Sequence, residues 1–382
     1  MATQASYSLT ELVRYFLRLG TLGFGGPPAL VSAMHRDLVA ERGWIAENDY
    51  REGLALAQLA PGPLAAQLAI YLGYVHYGVW GATLTGIAFV LPSFLMVLAL
   101  GWAYVQFEGL PWMQALFYGI GAAVIGIIAV GTYKLTRKTV QSDDWLGWTL
   151  FGISALATAI METELLWLVL LSGGVYWLVK SPPQLIRFNA GNSLAPFLGQ
   201  MLALPADSTL WQLALFFTKA GAFVFGSGLA IVPFLYGGVV KEYGWLTEQQ
   251  FLDAVAVAMI TPGPVVITVA FIGYLVAGFP GACVAALATF LPCYVLTVLP
   301  APYFKRWGKH PGVKAFVDGI TMAAVGAIAG AVVVLARRQL TDWPAIILAL
   351  TTVGLLYRFK KLPELTVIGG AAIIGLLLRY VG

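Results

Sequence analysis

Charge is what this chain has least of. Only 10% of its 382 residues are Asp, Glu, Lys or Arg, against roughly 25% in soluble domains. None occurs between Gly53 and Phe107, and none between Ala254 and Phe304. A membrane helix needs about 20 apolar residues, so each run holds two or more passes and a soluble helical core is disfavoured. Cysteine is scarce too. Cys283 and Cys293 lie close together in an apolar run and offer neither a disulfide framework nor a metal site. The three histidines, His35, His76 and His310, are far apart, and no metal or cofactor is expected. The opening stretch MATQASYSLTELVRYFLRLG lacks the charged region, apolar run and small-residue cleavage site of a signal peptide, so none is expected. The net charge of +4 is small and lies mostly in loops. It orients a membrane protein and does not call for nucleic acid.

What is present is a duplication. At an offset of 201, Phe16–Gly26 (FLRLGTLGFGG) aligns with Phe217–Ser227 (FTKAGAFVFGS), Glu41–Trp44 with Glu242–Trp245, and Pro61-Gly62-Pro63 with Pro262-Gly263-Pro264. One deletion later, Gly73-Tyr74 meets Gly273-Tyr274, Leu91-Pro92 meets Leu291-Pro292, and Arg137-Lys138 meets Arg337-Arg338. The expected organisation is a first repeat over 1–190, a linker over 191–206 preceded by Pro182, Pro183 and Asn189, and a second repeat over 207–382.

Each half reads as six apolar elements. In the first half these are Leu9–Met34, broken at Gly25-Gly26-Pro27; Tyr50–His76, broken at the PGP; Val79–Gln106; Trp112–Tyr133; and two short ones near Trp145–Ile160 and Leu165–Val179. The second is read either as a broken helix or as a hairpin that enters and leaves on one side. Lys and Arg favour the cytoplasmic face. The loop after element three has no such residue in half one but Lys305, Arg306, Lys309 and Lys314 in half two; the loop before element six is METE against YRFKKLPE. Both contrasts predict opposite orientations. The loop after element four, basic in both halves, dissents. The expected fold is thus an all-α polytopic membrane protein with two homologous halves in an inverted-topology repeat, and broken helices or helical hairpins at the PGP motifs. That plan recurs in secondary transporters.

A backbone break in lipid is tolerated only against protein or a water-lined cavity. Proline suits the first turn of a helix, where its missing N–H is not needed. Pro63 and Pro264 can each start a half-helix whose free N–H groups attract an anion; the plainer alternative for Pro61–Pro63 and Pro262–Pro264 is a kink. Gly25-Gly26 and Gly226-Ser227-Gly228 form either a second backbone cradle or close-packing small residues. Arg18 and Lys219, equivalent cations inside apolar segments, either balance an anion or snorkel. Arg14 has Leu215 opposite and is the weaker candidate. Glu52 and Asp253, nine residues before each PGP, could carry protons, although acids near a helix start are commonly there for the dipole. Gln58, Gln67, Thr261 and Thr268 flank the breaks and could donate to an oxyanion. Trp44 and Trp245 are expected at the membrane interface.

These stretches carry a resemblance. GTLGFGGPPALV, ERGWIAENDYREGLALAQLAPGPLAAQLAIYLGY and their second-half counterparts resemble the chromate ion transporter family in its long form, with two fused homologous halves. The resemblance implies a multi-pass inner-membrane secondary transporter that exports chromate, confers chromate resistance and is driven by the proton-motive force. It implies as partners a chromate- or sulfate-like oxyanion, the lipid bilayer and, as a candidate assembly, a homodimer. Half two departs from half one, with Ser227-Gly228 for Gly26-Pro27 and Lys219 for Arg18. Sulfate transport and a passive anion channel stand as alternatives. A membrane-embedded enzyme is disfavoured, since no paired carboxylate cluster, His-rich spacing or nucleotide loop is found.

Overall fold

The computed structural model describes residues 7–24, 26–107, 111–162, 166–181, 208–223, 231–302, 304, 311–359 and 362–378. All regular structure among them is helical. Half one contributes α1 (Leu9–Leu22), α2 (Gly26–Met34, continued by a π-helical turn His35–Glu41), α3 (Glu47–Leu59), α4 (Leu64–Phe107), α5 (Pro111–Thr139), α6 (Trp145–Met161) and α7 (Leu166–Lys180). Half two repeats that order. It contributes α8 (Thr209–Phe223), α9 (Ile231–Leu235, continued by a π-helical turn Tyr236–Glu242), α10 (Glu248–Ile260), α11 (a 3₁₀ turn Val265–Ile267, then Thr268–Val298), α12 (Pro311–Gln339), α13 (Trp343–Arg358) and α14 (Glu364–Leu376). Local irregularities repeat as well: positive-φ glycines pair as Gly43 and Gly244, Gly62 and Gly263, and Gly78 and Gly278.

Among the described residues, four stretches are long and apolar enough to cross a membrane: Leu64–Phe107, Trp112–Thr139, Val265–Val298 and Pro311–Gln339. The first and third are each a hairpin. In α4 the chain reverses at Gly78 (φ 57°, ψ −148°). The Thr85 hydroxyl then donates back to the Ala69 carbonyl at 3.0 Å. A Cβ on Gly73 or Gly81 would lie 2.4 or 2.1 Å from the other's carbonyl oxygen, so the two backbones touch. In α11 the reversal is at Gly278, with Gly273 against Gly281. The short arm Leu64–Tyr77 is about 20 Å long, less than the roughly 30 Å hydrocarbon core, whereas the long arm beyond Gly78 is about 40 Å.

Short helices fold back at the breaks. α3 returns along the short arm of α4, with Gly53 against the Tyr71 ring and Glu52 hydrogen-bonded to Tyr71. Both contacts are nearly symmetric about Gly62. Of the two readings of the PGP element, the hairpin is the one observed. α1 and α2 form another: the Tyr15 hydroxyl donates to Asp37 at 3.2 Å, and Gly23 lies against Leu30. Half one therefore inserts two hairpins from a single face. Trp44 marks that face, stacked on Tyr7, whose carbonyl accepts from the Tyr77 hydroxyl.

The long arm of α4 leaves the Trp44 face and ends among half-two residues. Tyr104 donates to Asp253 at 2.7 Å and meets the Phe271 ring edge-on, both near the outer ends of half two's PGP hairpin. Thr83, close to the Trp44 face, meets the Tyr294 hydroxyl near the end of α11 at 2.7 Å. The long arms are thus antiparallel, and half two's hairpins enter from the opposite face, marked by Trp245. The repeat is inverted.

The halves also exchange their last two helices. α6 and α7 pack on α12, and α13 and α14 pack on α5. Small residues make these seams. A Cβ on Gly326 would lie 2.2 Å from the Phe151 carbonyl, and one on Gly119 would lie 2.0 Å from the Ala371 carbonyl. Between membrane helices, close backbone approach replaces the missing hydrophobic drive. α6 runs parallel to α12, which brings Glu162 at its end to Arg338 on the Trp245 face. This pairing accounts for the dissenting basic loop. Arg338 on the Trp245 face is paired with Glu162 and Glu248, whereas no acid lies within ion-pair distance of Lys138 among the described residues.

The loops after α5 and α12 should therefore lie on opposite faces. With Cys283 and Cys293 replaced by Ser, Gln141→Cys and Thr341→Cys should react with an impermeant maleimide from opposite sides of sealed vesicles. Reaction of both from one side would contradict the inverted packing.

Candidate functional site

The two PGP hairpin tips lie in the interior. Pro61, Gly62 and Pro63 form one tip, with Gly62 buried at φ 138°. Pro262, Gly263 and Pro264 form its counterpart, all three buried, with Gly263 at φ 95°. Both values lie where glycine is favoured over any residue with a Cβ. A Cβ would also find no room. On Gly263 it would lie 2.0 Å from Ser93 Oγ; on Gly62 it would lie 3.0 Å from Cys293 Sγ. Ser93 and Cys293 are equivalent positions on the two long arms, so each tip abuts the other half's arm.

Polar backbone at the tips is satisfied across the halves. The Gly263 N–H donates to the Gly23 carbonyl at 2.9 Å, tying the second PGP to the tip of the α1–α2 hairpin. Ser93 Oγ donates to the Pro262 carbonyl at 2.7 Å. Within half one, Gln67 Nε2 donates to the carbonyls of Pro61 (2.8 Å) and Ala60 (3.3 Å). Gln67 is fully buried, and its Oε1 has no partner among the described residues. The second short arm opens with a 3₁₀ turn after Pro264 and has no side-chain cap, which leaves first-turn N–H groups without a side-chain acceptor. Pro264 thus stands just before a helical start, as its chemistry requires.

The paired carboxylates sit deeper than helix-start acids. The first-turn acids are Glu47 and Asp49 in α3 and Glu248 in α10. Asp253 is 3% exposed and accepts from Tyr104 at 2.7 Å and from Gln249 Nε2 at 2.8 Å. Glu52 is hydrogen-bonded to Tyr71. Positions 71 and 271 are Tyr and Phe, and positions 104 and 304 are Tyr and Phe. Each carboxylate therefore keeps one phenol, from its own half for Glu52 and from across the interface for Asp253.

Arg18 lines a cavity of about 470 Å³ between α1 and α2, together with Tyr15, Gly23, Phe24, Ala33 and Arg42. Arg36, Asp37 and Glu41 complete its charged wall. Arg36 Nε pairs with Asp37 at 2.8 Å and with Glu41 at 3.7 Å. Neither Arg18 nor Arg42 has a carboxylate within ion-pair distance among the described residues. Lys219 is exposed on α8, and no described contact joins it to Arg18. Gly26 opens α2 at φ 72°. Gly25, Gly226 and Ser227 lie outside the described residues. Sequence reading missed Arg42, Tyr15 and Ala33, which stand at positions where the two halves differ.

The Trp245 face is closed differently. Arg338 pairs with Glu162 and Glu248, and Lys241 with Glu162 at 2.8 Å, tying α6, α12, α9 and α10 together. The hydrogen bonds from Arg338 and then Lys241 lower the Glu162 pKa to about 2. On the Trp44 face, the equivalent of Glu248 is Glu47, which pairs locally with His35 and Arg51.

The strain at the tips predicts a specific epistasis. Gly263→Ala should lower the unfolding midpoint of the purified protein, by the roughly 1–3 kcal/mol typical of a clash with overpacking. Adding Ser93→Gly should recover part of that loss, because the two groups collide. Additive effects would place the strain elsewhere.

Residues 10–177 and 211–376 each match the family described as Chromate transporter. A protein named "Chromate transport protein" from Cupriavidus metallidurans is 64% identical over 98% of this chain and 94% of its own length. A "Probable chromate transport protein" from Synechococcus elongatus is 62% identical over 97% of this chain and 96% of its own. A "Chromate transport protein" from Pseudomonas aeruginosa is 30% identical over 96% and 92%. No solved structure matches the chain.

Proposed function

Because the chain belongs to the chromate transporter family, we propose that it carries chromate out of the cytoplasm across the inner membrane, driven by the proton-motive force. The observation that carries this reading is the junction of hairpin tips from opposite faces, sealed by the Gly263 N–H to Gly23 bond. A site at such a junction can be exposed to either side by tilting one set of hairpins against the other, the general logic of inverted-repeat transporters.

Orientation follows from the cations. Arg36, Arg42, Arg51, Lys134, Arg137, Lys138, Lys180, Lys314 and Arg358 lie toward the Trp44 face, against Lys241, Arg337 and Arg338 toward the other. The excess assigns the Trp44 face to the cytoplasm. The Arg18 cavity is then the cytoplasmic approach, and the Glu162–Arg338–Glu248 cluster closes the exit.

In this reading the oxyanion is held by Arg18, by first-turn N–H groups beyond Pro61–Gly62–Pro63 and Pro262–Gly263–Pro264, and by the sequence-equivalent stretches Gly25-Gly26 and Gly226-Ser227. Lys219 supplies charge from half two. Glu52 and Asp253 carry the coupling protons, each poised against a phenol. Sulfate has the same charge and tetrahedral oxygens, so it competes.

Purified protein in proteoliposomes should accumulate chromate against its gradient when a proton gradient is imposed. Asp253→Asn should abolish that uphill movement yet retain chromate-for-chromate exchange. Transport that only ever runs downhill in the wild type would replace the carrier with a channel.

A further inference from the structure

The two halves differ most where half one has its cavity. Position by position, Tyr15, Ala33, Arg42 and Trp44 of half one correspond to Phe216, Phe234, Tyr243 and Trp245 of half two. In half two these four side chains fill the space. Phe216 stacks on Phe234 at 5.1 Å and 10°, and Tyr243 stacks on Trp245 at 4.3 Å and 15°. Phe216 meets Tyr243 and Trp245 edge-on, each at 5.8 Å. In half one, Ala33 removes the stacking partner of ring 15, and an arginine replaces the tyrosine. The result is the cavity of about 470 Å³.

Arg42 has no carboxylate within ion-pair distance among the described residues, although Glu11 lies close enough to feel its charge. Its guanidinium lies 4.5 Å from the Trp44 ring centre and 5.4 Å from that of Tyr15. Ring faces attract a cation and orient its plane while leaving its N–H donors free for an anion. Asp37 and Glu41, the carboxylates of the same wall, are both engaged by Arg36. Arg18 projects from the next wall, well inside α1, where an unpaired cation in lipid would be costly.

Resting on the reading that the chain carries an oxyanion, we infer that Arg42, pinned between Tyr15 and Trp44, is a second anion-binding residue. With Arg18 it forms a two-arginine capture site for a tetrahedral dianion in the half-one cavity, which Ala33 keeps open. Among the described residues of half two, an aromatic cluster stands at the corresponding positions instead. The dianion enters on the half-one side, and the halves do different work although their tips match. The site recognises charge and oxygen geometry, so it binds sulfate as well as chromate.

The test is equilibrium binding of chromate and of sulfate to the full-length protein in nanodiscs. Arg42→Gln and Ala33→Phe should each raise the Kd for both anions at least tenfold. Arg42→Lys should fall between them and the wild type, since it keeps the charge and loses the planar stacking. Phe234→Ala, in the filled half, should leave binding unchanged. Thermal midpoints identify variants that fail to fold; if Ala33→Phe is among them, Arg42→Gln decides. Wild-type affinity in Arg42→Gln overturns the inference while the oxyanion reading stands. A wild type that binds neither anion overturns both.

Discussion

An unpaired peptide group in the middle of a bilayer costs several kcal/mol, and this chain places its PGP hairpin tips in the interior. The rest of the structure follows from satisfying them. The carbonyls before the first PGP accept from Gln67. The Gly263 N–H is satisfied by Gly23, and the Pro262 carbonyl by Ser93, both from the other half. Neither half could bury its tips alone. That need is consistent with two halves fused in one chain, with glycine at Gly62 and Gly263, and with serine and cysteine at the facing positions on the long arms. The exchange of α6–α7 for α13–α14 has the same effect at the periphery, since each half's scaffold helix is clasped by the other's helices.

Symmetry in the backbone coexists with asymmetry in the side chains. The Trp44 side carries a cavity whose Arg18 and Arg42 form no ion pair among the described residues; the Trp245 side carries an aromatic cluster beneath a bridge of Glu162, Arg338, Glu248 and Lys241. A depressed carboxylate pKa stabilises the folded form above the ordinary carboxylate range and loses that contribution only as pH falls through the lowered value. With Glu162 at about 2, the bridge is intact throughout the physiological range. In the proposed cycle, protonation of Glu162 is therefore not what opens it. In the proposed cycle Asp253, buried against Tyr104 from the opposite half, is the better-placed proton carrier, because its partner belongs to the other half.

Much of this was legible in the sequence. The duplication, the six apolar elements of each half and the breaks at the PGP motifs appear where expected, because prolines, glycines and tryptophans matched at one offset scarcely arise without a duplicated chain. Whether the PGP element was a broken helix or a hairpin was not legible: both begin with the same local residues, and the packing of Gly53 on Tyr71 decides. The reversal at Gly78 was read only as a gap between elements. The exchange of terminal helices was hidden because small-residue seams look alike throughout so apolar a chain. Arg42 was missed for a different reason. Matching the halves directs attention to positions they share, whereas this cavity exists where they diverge, at Ala33 against Phe234 and Arg42 against Tyr243.

The central claim is that the anion sits at the junction of the hairpin tips, beside Arg18 and the Gly23–Gly263 contact. Anomalous diffraction at the chromium edge, from crystals of the intact protein grown with chromate, locates that anion directly. The account predicts a peak within contact distance of Arg18 on the cavity side of Gly23. A peak confined to surface cations away from the tips, in protein shown to transport chromate, would contradict it.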